Sequence, residues 1–270
     1  MIHRFLSKMN KEPPVCLSQY FERIGYQGAV ENTLEVLHAL TRAHTQTIPF
    51  ENLDVFLKKP IHLETEALFN KLVLAKRGGY CFEQNGLFLQ ILLQLGFKAR
   101  PLAARVRLRV TDRLEMPART HLFISVELGG QQWLTDVGVG GYSLTQALLW
   151  QENLEQDTLH DRRRLMHEAG RWFHQVWTDN HWLDIYEFWG EEMPASDQKV
   201  ANWYTSTYPE SSFTKQIMAA RALPNGGRLS LLDGEFRHRH PDGRVIAHHV
   251  PSDKLKNILL EQFAIRWPEE

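Results

Sequence analysis

Arg77-Gly78-Gly79-Tyr80-Cys81-Phe82-Glu83-Gln84-Asn85 is the stretch of this chain with the clearest chemical content. Its two glycines allow a sharp turn and a close approach of backbone to another group. They deliver Cys81 to the first turn of an apolar helical pattern. There the helix dipole and the free N–H groups stabilise a thiolate and lower the thiol pKa below its free value of about 8.5. Arg77 adds a positive charge nearby. The alternative role for any single cysteine is that of a small core residue, and Cys16, which has no comparable surroundings, keeps it.

A nucleophilic cysteine needs a base, and the base needs a group to orient it. Thirteen histidines leave the choice open, so geometry must select. The runs His121–Leu128 and Gln131–Val137 flank Gly129-Gly130, a two-residue hairpin signal. If Leu128 pairs with Gln131, Asp136 faces Phe123, and Phe123 shares a face with His121. His121 and Asp136 are then diagonal neighbours, within reach for an imidazole and a carboxylate. A slip of one residue would put them on opposite faces.

Two other motifs carry less. Asp136-Val137-Gly138-Val139-Gly140-Gly141 follows a strand, but no helix opens behind it with dinucleotide-binding spacing, so a tight turn beside a ligand is expected. His238-Arg239-His240 and His248-His249 come without a cysteine or acidic ligand set, which favours a solvated hairpin over a metal site.

Around these residues the chain changes period. Leu17 to Ile24 predicts a short amphipathic helix closed by Gly25. Asn32-Thr33-Leu34-Glu35 has a capping-box pattern opening a second helix with Leu34, Val36, Leu37 and Leu40. Phe82, Leu87, Phe88, Ile91, Leu92 and Leu95 predict a third, from Cys81 to Gly96. Arg105 to Val110 alternates strictly and predicts a half-buried strand. With the hairpin, and strands near Trp172–Trp177 and Trp182–Phe188, the middle third predicts an antiparallel sheet or small barrel. Leu229–Leu232 and Val245–Val250 predict later strands, with a turn at residues 240–243, and Ser252 is expected to cap a last helix through Phe263.

The chain has 270 residues, 43% hydrophobic and 23% charged, with a formal net charge of −1. That balance argues against nucleic acid as the main partner. No apolar run reaches the ~18 residues of a membrane helix, and residues 1–14 lack an export signal. Two cysteines suit a reducing cytoplasm and no disulfide framework.

Together the motifs resemble the arylamine N-acetyltransferase family, bacterial branch. The resemblance lies in Tyr20-Phe21-Glu22-Arg23-Ile24, Ile48-Pro49-Phe50-Glu51-Asn52-Leu53, the Arg77–Asn85 block, Arg119-Thr120-His121 and Asp136-Val137-Gly138. It implies an α+β fold in three packed parts: an N-terminal helical bundle (1–97) carrying the nucleophile, a middle antiparallel β-barrel (98–199) carrying His121 and Asp136, and a C-terminal α/β lid (200–270). It also implies acetyl-CoA as co-substrate with no tightly bound cofactor or metal, and an aromatic amine, arylhydroxylamine or hydrazine as acceptor, in xenobiotic metabolism. On this resemblance Cys81, His121 and Asp136 form the catalytic triad, and Phe50, Val139 and Phe213 line the acceptor pocket. Ala118, Arg119 and Thr120 offer backbone N–H groups to the CoA phosphates, and Arg77 pairs with Glu51 as structural support. Many relatives place an aromatic residue where Val139 stands, which implies a wider pocket here. Other functions open to the same residues are an amide synthase of secondary metabolism, a cysteine hydrolase and a binding module with an inert Cys81.

Overall fold

The computed structural model describes residues 15–268; the opening segment, expected to lack an export signal, lies outside the described residues. The first helices are α1 (Leu17–Ile24), α2 (Leu34–Thr47), α3 (Leu53–Phe56), α4 (Thr65–Phe69) and α5 (Cys81–Gln94). Gly25 closes α1 in the left-handed conformation at φ 68°, as its position predicts. The cap of α2 differs from expectation by one residue. Thr33 is the N-cap and accepts from the Val36 N–H, while Asn32 turns away to donate to the Gly96 carbonyl. Helix α5 is the centre of this region and buries nearly every side chain from Cys81 to Leu92, as a helix covered on all sides must. Its buried Gln84 is employed at both ends: its Oε1 accepts from His44 Nε2 at 2.6 Å, its Nε2 donates to the Pro49 carbonyl at 2.8 Å, and His44 Nδ1 accepts from the Tyr20 hydroxyl at 2.8 Å. That chain joins α1, α2 and α5 without leaving a buried polar group unpaired.

Eight strands follow in an antiparallel barrel: β2 (Lys98–Val106), β3 (His121–Leu128), β4 (Gln131–Thr135), β5 (Leu148–Leu149), β6 (Gln156–Asp157), β7 (Arg162–Glu168), β8 (Arg171–Thr178) and β9 (His181–Phe188). Their order is β5-β4-β3-β2-β9-β8-β7-β6. The two edges are stitched by the Gln156 side chain, which bonds both the N–H and the carbonyl of Leu149. The barrel is nearly closed, which leaves little free edge. Its interior packs Leu102, Phe123, Leu134, Leu165, Val176, Ile185, Tyr186 and Phe188.

The strand expected at Arg105–Val110 starts earlier and ends at Val106. Arg107 is the reason. Its guanidinium is buried against Glu187 at 3.1 Å and takes the carbonyls of Asp112 and Glu115, so the chain must turn back over it. The Gly129-Gly130 hairpin matches expectation: both glycines have positive φ (61° and 74°), and Leu128 pairs with Gln131. Strand β4 stops at Thr135, before the Val137 expected, because the Asn85 amide takes both groups of the next rung, the Val137 N–H and the Leu122 carbonyl.

A second sheet contains β1 (Phe50–Glu51), β10 (Met218–Ala222), β11 (Arg228–Leu232), β12 (Glu235–Arg239) and β13 (Val245–His249), in the order β1-β10-β11-β12-β13. Before it come α6 (Ala195–Thr207) and α7 (Ser212–Lys215), and after it α8 (Leu255–Phe263). Ser252 does not cap α8: a short 3₁₀ turn at Ser252–Lys254 intervenes, and the helix opens at Leu255. Because β1 comes from the N-terminal region and pairs with β10, Phe50 lies on the second sheet, and it also bridges to Gly79, two residues before α5.

Candidate active site

Cys81 is the first residue of α5 and is 4% exposed. The Tyr80 N–H donates to the Glu83 side chain at 3.1 Å, so the helix start is capped from within. Lys71 binds Glu83 and Asp54, each at 2.6 Å, and balances the charge that this cap brings close to the thiol. Upstream, the Arg77 guanidinium reaches Glu51 at 2.7 Å and Asp54 at 3.1 Å. The other Glu51 oxygen accepts from the Leu53 N–H, and the Glu51 N–H donates to the Gly79 carbonyl at 3.0 Å. Gly78 is required here: a Cβ would lie 2.2 Å from the Pro49 carbonyl oxygen.

His121 opens β3 and lies 2.7 Å, Nε2 to Oδ2, from Asp136. Both side chains are nearly inaccessible, at 2% and 0%. With Nε2 committed to Asp136, Nδ1 is the ring nitrogen left for Cys81, whose side chain interacts with the imidazole. The Cys81 thiol also points to the Thr120 carbonyl at 3.7 Å. Burial opposes a charge on His121, but the Asp136 carboxylate and the Cys81 side chain outweigh it and raise the imidazole from its ordinary 6.5 to about 10. Burial likewise opposes the Asp136 charge, and His121, Asn85 and the Gly138 N–H reverse that, holding the carboxyl below its usual range. The arrangement is a carboxylate–imidazolium pair facing a thiol.

Asn85 joins the candidate site through its hydrogen bonds, which spacing did not single out beyond its being a polar neighbour of Cys81. It is one turn along α5 and fully buried. Its amide donates to Asp136 Oδ1 at 2.8 Å and to the Leu122 carbonyl at 2.7 Å, and its oxygen accepts from the Val137 N–H at 3.0 Å. One side chain thus ties the cysteine helix to β3, which carries His121, and to the turn after β4, which carries Asp136. Gly138 permits that approach: a Cβ would lie 2.8 Å from both Cys81 Cα and Asn85 Nδ2.

The remaining expected residues divide. Phe50 and Phe213 sit with ring centroids 6.4 Å apart, and Phe213 is 5.5 Å from Tyr80, all beside Cys81. Val139 is not brought to them. It is 7% exposed and packs with the barrel interior, while Gly140 is the residue of that turn lying against the Phe50 ring. Val139→Phe is therefore expected to overpack the barrel and cost about 1–3 kcal/mol of stability. The urea midpoint reads this, and an unchanged midpoint would show that the ring turns into the cleft instead. Ala118, Arg119 and Thr120 lie at the end of the β2–β3 loop. The Thr120 N–H and hydroxyl both donate to the Ala118 carbonyl, and Arg119 pairs with Glu191. His238 and His240 stack at 4.0 Å. Among the described residues no group of three or more His, Cys, Asp or Glu side chains could hold a metal ion. No described helix is long and apolar enough to cross a membrane.

A helix-borne thiol facing a barrel-borne imidazole–carboxylate pair defines a thiol-dependent acyl-transfer type of site. Comparison with known proteins specifies it. A family model described as N-acetyltransferase matches residues 33–269. The arylamine N-acetyltransferase of Mycobacterium bovis is 42% identical over 252 residues, covering 92% of this chain and 89% of that protein. The Salmonella typhimurium protein named arylamine N-acetyltransferase / N-hydroxyarylamine O-acetyltransferase is 39% identical over 250 residues, covering 92% and 88%. Among solved structures, Mycobacterium marinum arylamine N-acetyltransferase in complex with CoA superposes with a TM-score of 0.88 at 34% identity, covering 93% of each chain. The chain belongs to the arylamine N-acetyltransferase family and resembles its bacterial members; it is an acyltransferase.

Proposed function

We propose that this enzyme moves an acetyl group from acetyl-CoA through a thioester on Cys81 to the nitrogen of an arylamine or hydrazine, or to the oxygen of an arylhydroxylamine. The observation that carries this reading is the His121–Asp136 pair at 2.7 Å beside the Cys81 thiol. The Cys81 thiolate attacks the thioester carbonyl, forming the S–C bond of acetyl-cysteine. The C–S bond to CoA breaks, and CoA departs as the thiol with the proton held by His121. The acceptor nitrogen then attacks the acetyl carbon, His121 takes the proton it sheds, and the Cys81 thiolate is released. Asp136 keeps the ring oriented and favours its charged form, while Asn85 fixes Asp136.

Phe50, Tyr80 and Phe213 supply an aromatic wall beside the thiol, suited to a flat apolar acceptor. The CoA complex of the Mycobacterium marinum relative supports the donor, and the Salmonella typhimurium relative's name supports oxygen as well as nitrogen acceptors. The test is initial-rate kinetics with acetyl-CoA and an aniline. Parallel double-reciprocal lines and CoA release that depends on the amine are expected. Intersecting lines would exclude the acetyl-cysteine route, and equal CoA release without amine would identify a hydrolase.

A further inference from the structure

Asn52 is buried, at 2% exposed, and stands at the N-cap of α3. An asparagine there ordinarily accepts from an N–H of its own first turn. This one does not, and Glu51 serves that helix end by accepting from the Leu53 N–H at 2.7 Å. The Asn52 amide is committed instead to a segment 161 to 166 residues away. Its Nδ2 donates to the Phe213 and Gln216 carbonyls, each at 2.8 Å, and its Oδ1 accepts from the Met218 N–H at 2.7 Å. Two carbonyls and one N–H leave a single orientation open to the amide.

The two carbonyls lie at the end of α7, the four-residue helix that bears Phe213. A helix so short does not hold itself, and carbonyls at a helix end lack partners within it. Ser211 fixes the start of α7 by accepting from the Phe213 N–H at 3.3 Å. Asn52 fixes its end. The other rings beside Cys81 are held by other means. Phe50 sits in the β1–β10 ladder opposite Ala220 and bridges to Gly79. Tyr80 leads into α5, and its hydroxyl donates to Asn202. Phe213, with centroids 6.4 Å from Phe50 and 5.5 Å from Tyr80, depends on α7 for its place. Asn52, two residues after Phe50, therefore sets the gap between the two phenylalanines.

We propose that Asn52 is a positioning residue for the acceptor: by holding the Phe213 carbonyl it keeps the Phe213 ring at the spacing from Phe50 that a flat aromatic amine needs. The inference rests on the reading of Phe50, Tyr80 and Phe213 as the acceptor wall beside an acetylated Cys81. It concerns the second half-reaction alone, because acetylation by acetyl-CoA precedes acceptor binding and draws on the triad.

Deacetylation of acetyl-Cys81 by aniline and by hydrazine, which has no ring to place, tests it. Asn52→Asp keeps the shape and the acceptor for the Met218 N–H but loses both donors. In that variant kcat/KM for aniline is expected to fall on the order of ten- to a hundred-fold, the cost of misplacing a positioning group. Hydrazine should react as in the wild type, and acetylation of Cys81 by acetyl-CoA should be unchanged. In a Phe213→Ala background, Asn52→Asp should cost aniline nothing further, since the ring it places is gone. Equal losses for both amines, slowed acetylation, or an added loss in the Phe213→Ala background would mark a merely structural role and overturn the proposal. If the Asp variant does not fold, hydrogen exchange of the wild-type Asn52 amide decides. Slow exchange of both Nδ2 protons is expected, and exchange at the rate of an exposed amide overturns it. Wild-type protein that never acetylates Cys81 would sink the acetyl-transfer reading instead. Binding of N,N-dimethylaniline, flat but with no N–H to lose, would then judge Asn52: weaker binding by Asn52→Asp is expected, and equal binding overturns the proposal.

Discussion

Incubated with acetyl-CoA and no acceptor, the wild-type chain should gain a single acetyl group on the peptide containing Cys81. Cys81→Ala should gain none and lose transferase activity by ~10⁴-fold or more, the scale on which removal of a triad nucleophile is felt. The reason is geometric. Cys81 is the thiol at a helix start, facing an imidazole that a carboxylate 2.7 Å away holds in its charged form. Cys16, the other thiol, is exposed, lies before α1 and has its sulfur 3.3 Å from the Ser18 hydroxyl. Cys16→Ala should keep both adduct and activity. Intact-protein mass spectrometry reads the first half and CoA release the second. Persistence of the acetyl adduct in Cys81→Ala would end the covalent reading, whatever the kinetics.

Asp136→Asn should lower acetylation of Cys81 by roughly 10³–10⁴-fold, the loss seen when a triad carboxylate becomes an amide. The hydrogen bonds around Asp136 say how. Asn85 Nδ2 and the Gly138 N–H both donate to Oδ1, at 2.8 and 2.9 Å. An asparagine must put its carbonyl oxygen there, which turns its NH₂ toward His121 Nε2. That nitrogen then has to accept, and the ring proton moves to Nδ1, facing the thiol. A neutral imidazole with its proton toward sulfur is unable to take the Cys81 proton. Acetylation within tenfold of wild type would show that the ring keeps its working form without the carboxylate.

The same substitution changes how stability depends on pH. His121 has a folded pKa of about 10, above its ordinary 6.5. Its contribution is fully present below about pH 6.5 and is lost as pH rises toward 10. Asp136 is shifted the other way, so its contribution is present above the ordinary carboxyl range and lost as pH falls through its lowered value. The wild-type melting temperature should therefore decline between about pH 7 and 10, and Asp136→Asn should flatten that decline. Parallel curves for the two proteins would mean that the pair does not carry its charge in the folded state.

Local pattern alone made several elements legible. The apolar period from Cys81 to Leu95, Gly25 at φ 68° and the Gly129-Gly130 turn are local instructions, and the helix ends and hairpin register follow from them. That register is also what puts His121 and Asp136 on one face, so the pair could be chosen from thirteen histidines. The Arg105–Val110 alternation failed because a half-buried strand and a turn around a buried arginine look the same in sequence; only Glu187, 80 residues away, pulls Arg107 inward.

Local sequence specified the Cys81 thiol, its helix start and the hairpin that carries His121 and Asp136, because each depends on neighbours within a few residues. Tertiary structure decided the rest. It placed Val139 in the barrel interior and Gly140 against Phe50, a choice made by which face of the turn meets the barrel. It gave Asn85 its task of joining α5 to β3 and to the turn after β4. A buried polar side chain takes its role from whichever donors and acceptors the fold delivers to it, and those arrive from strands distant in the chain.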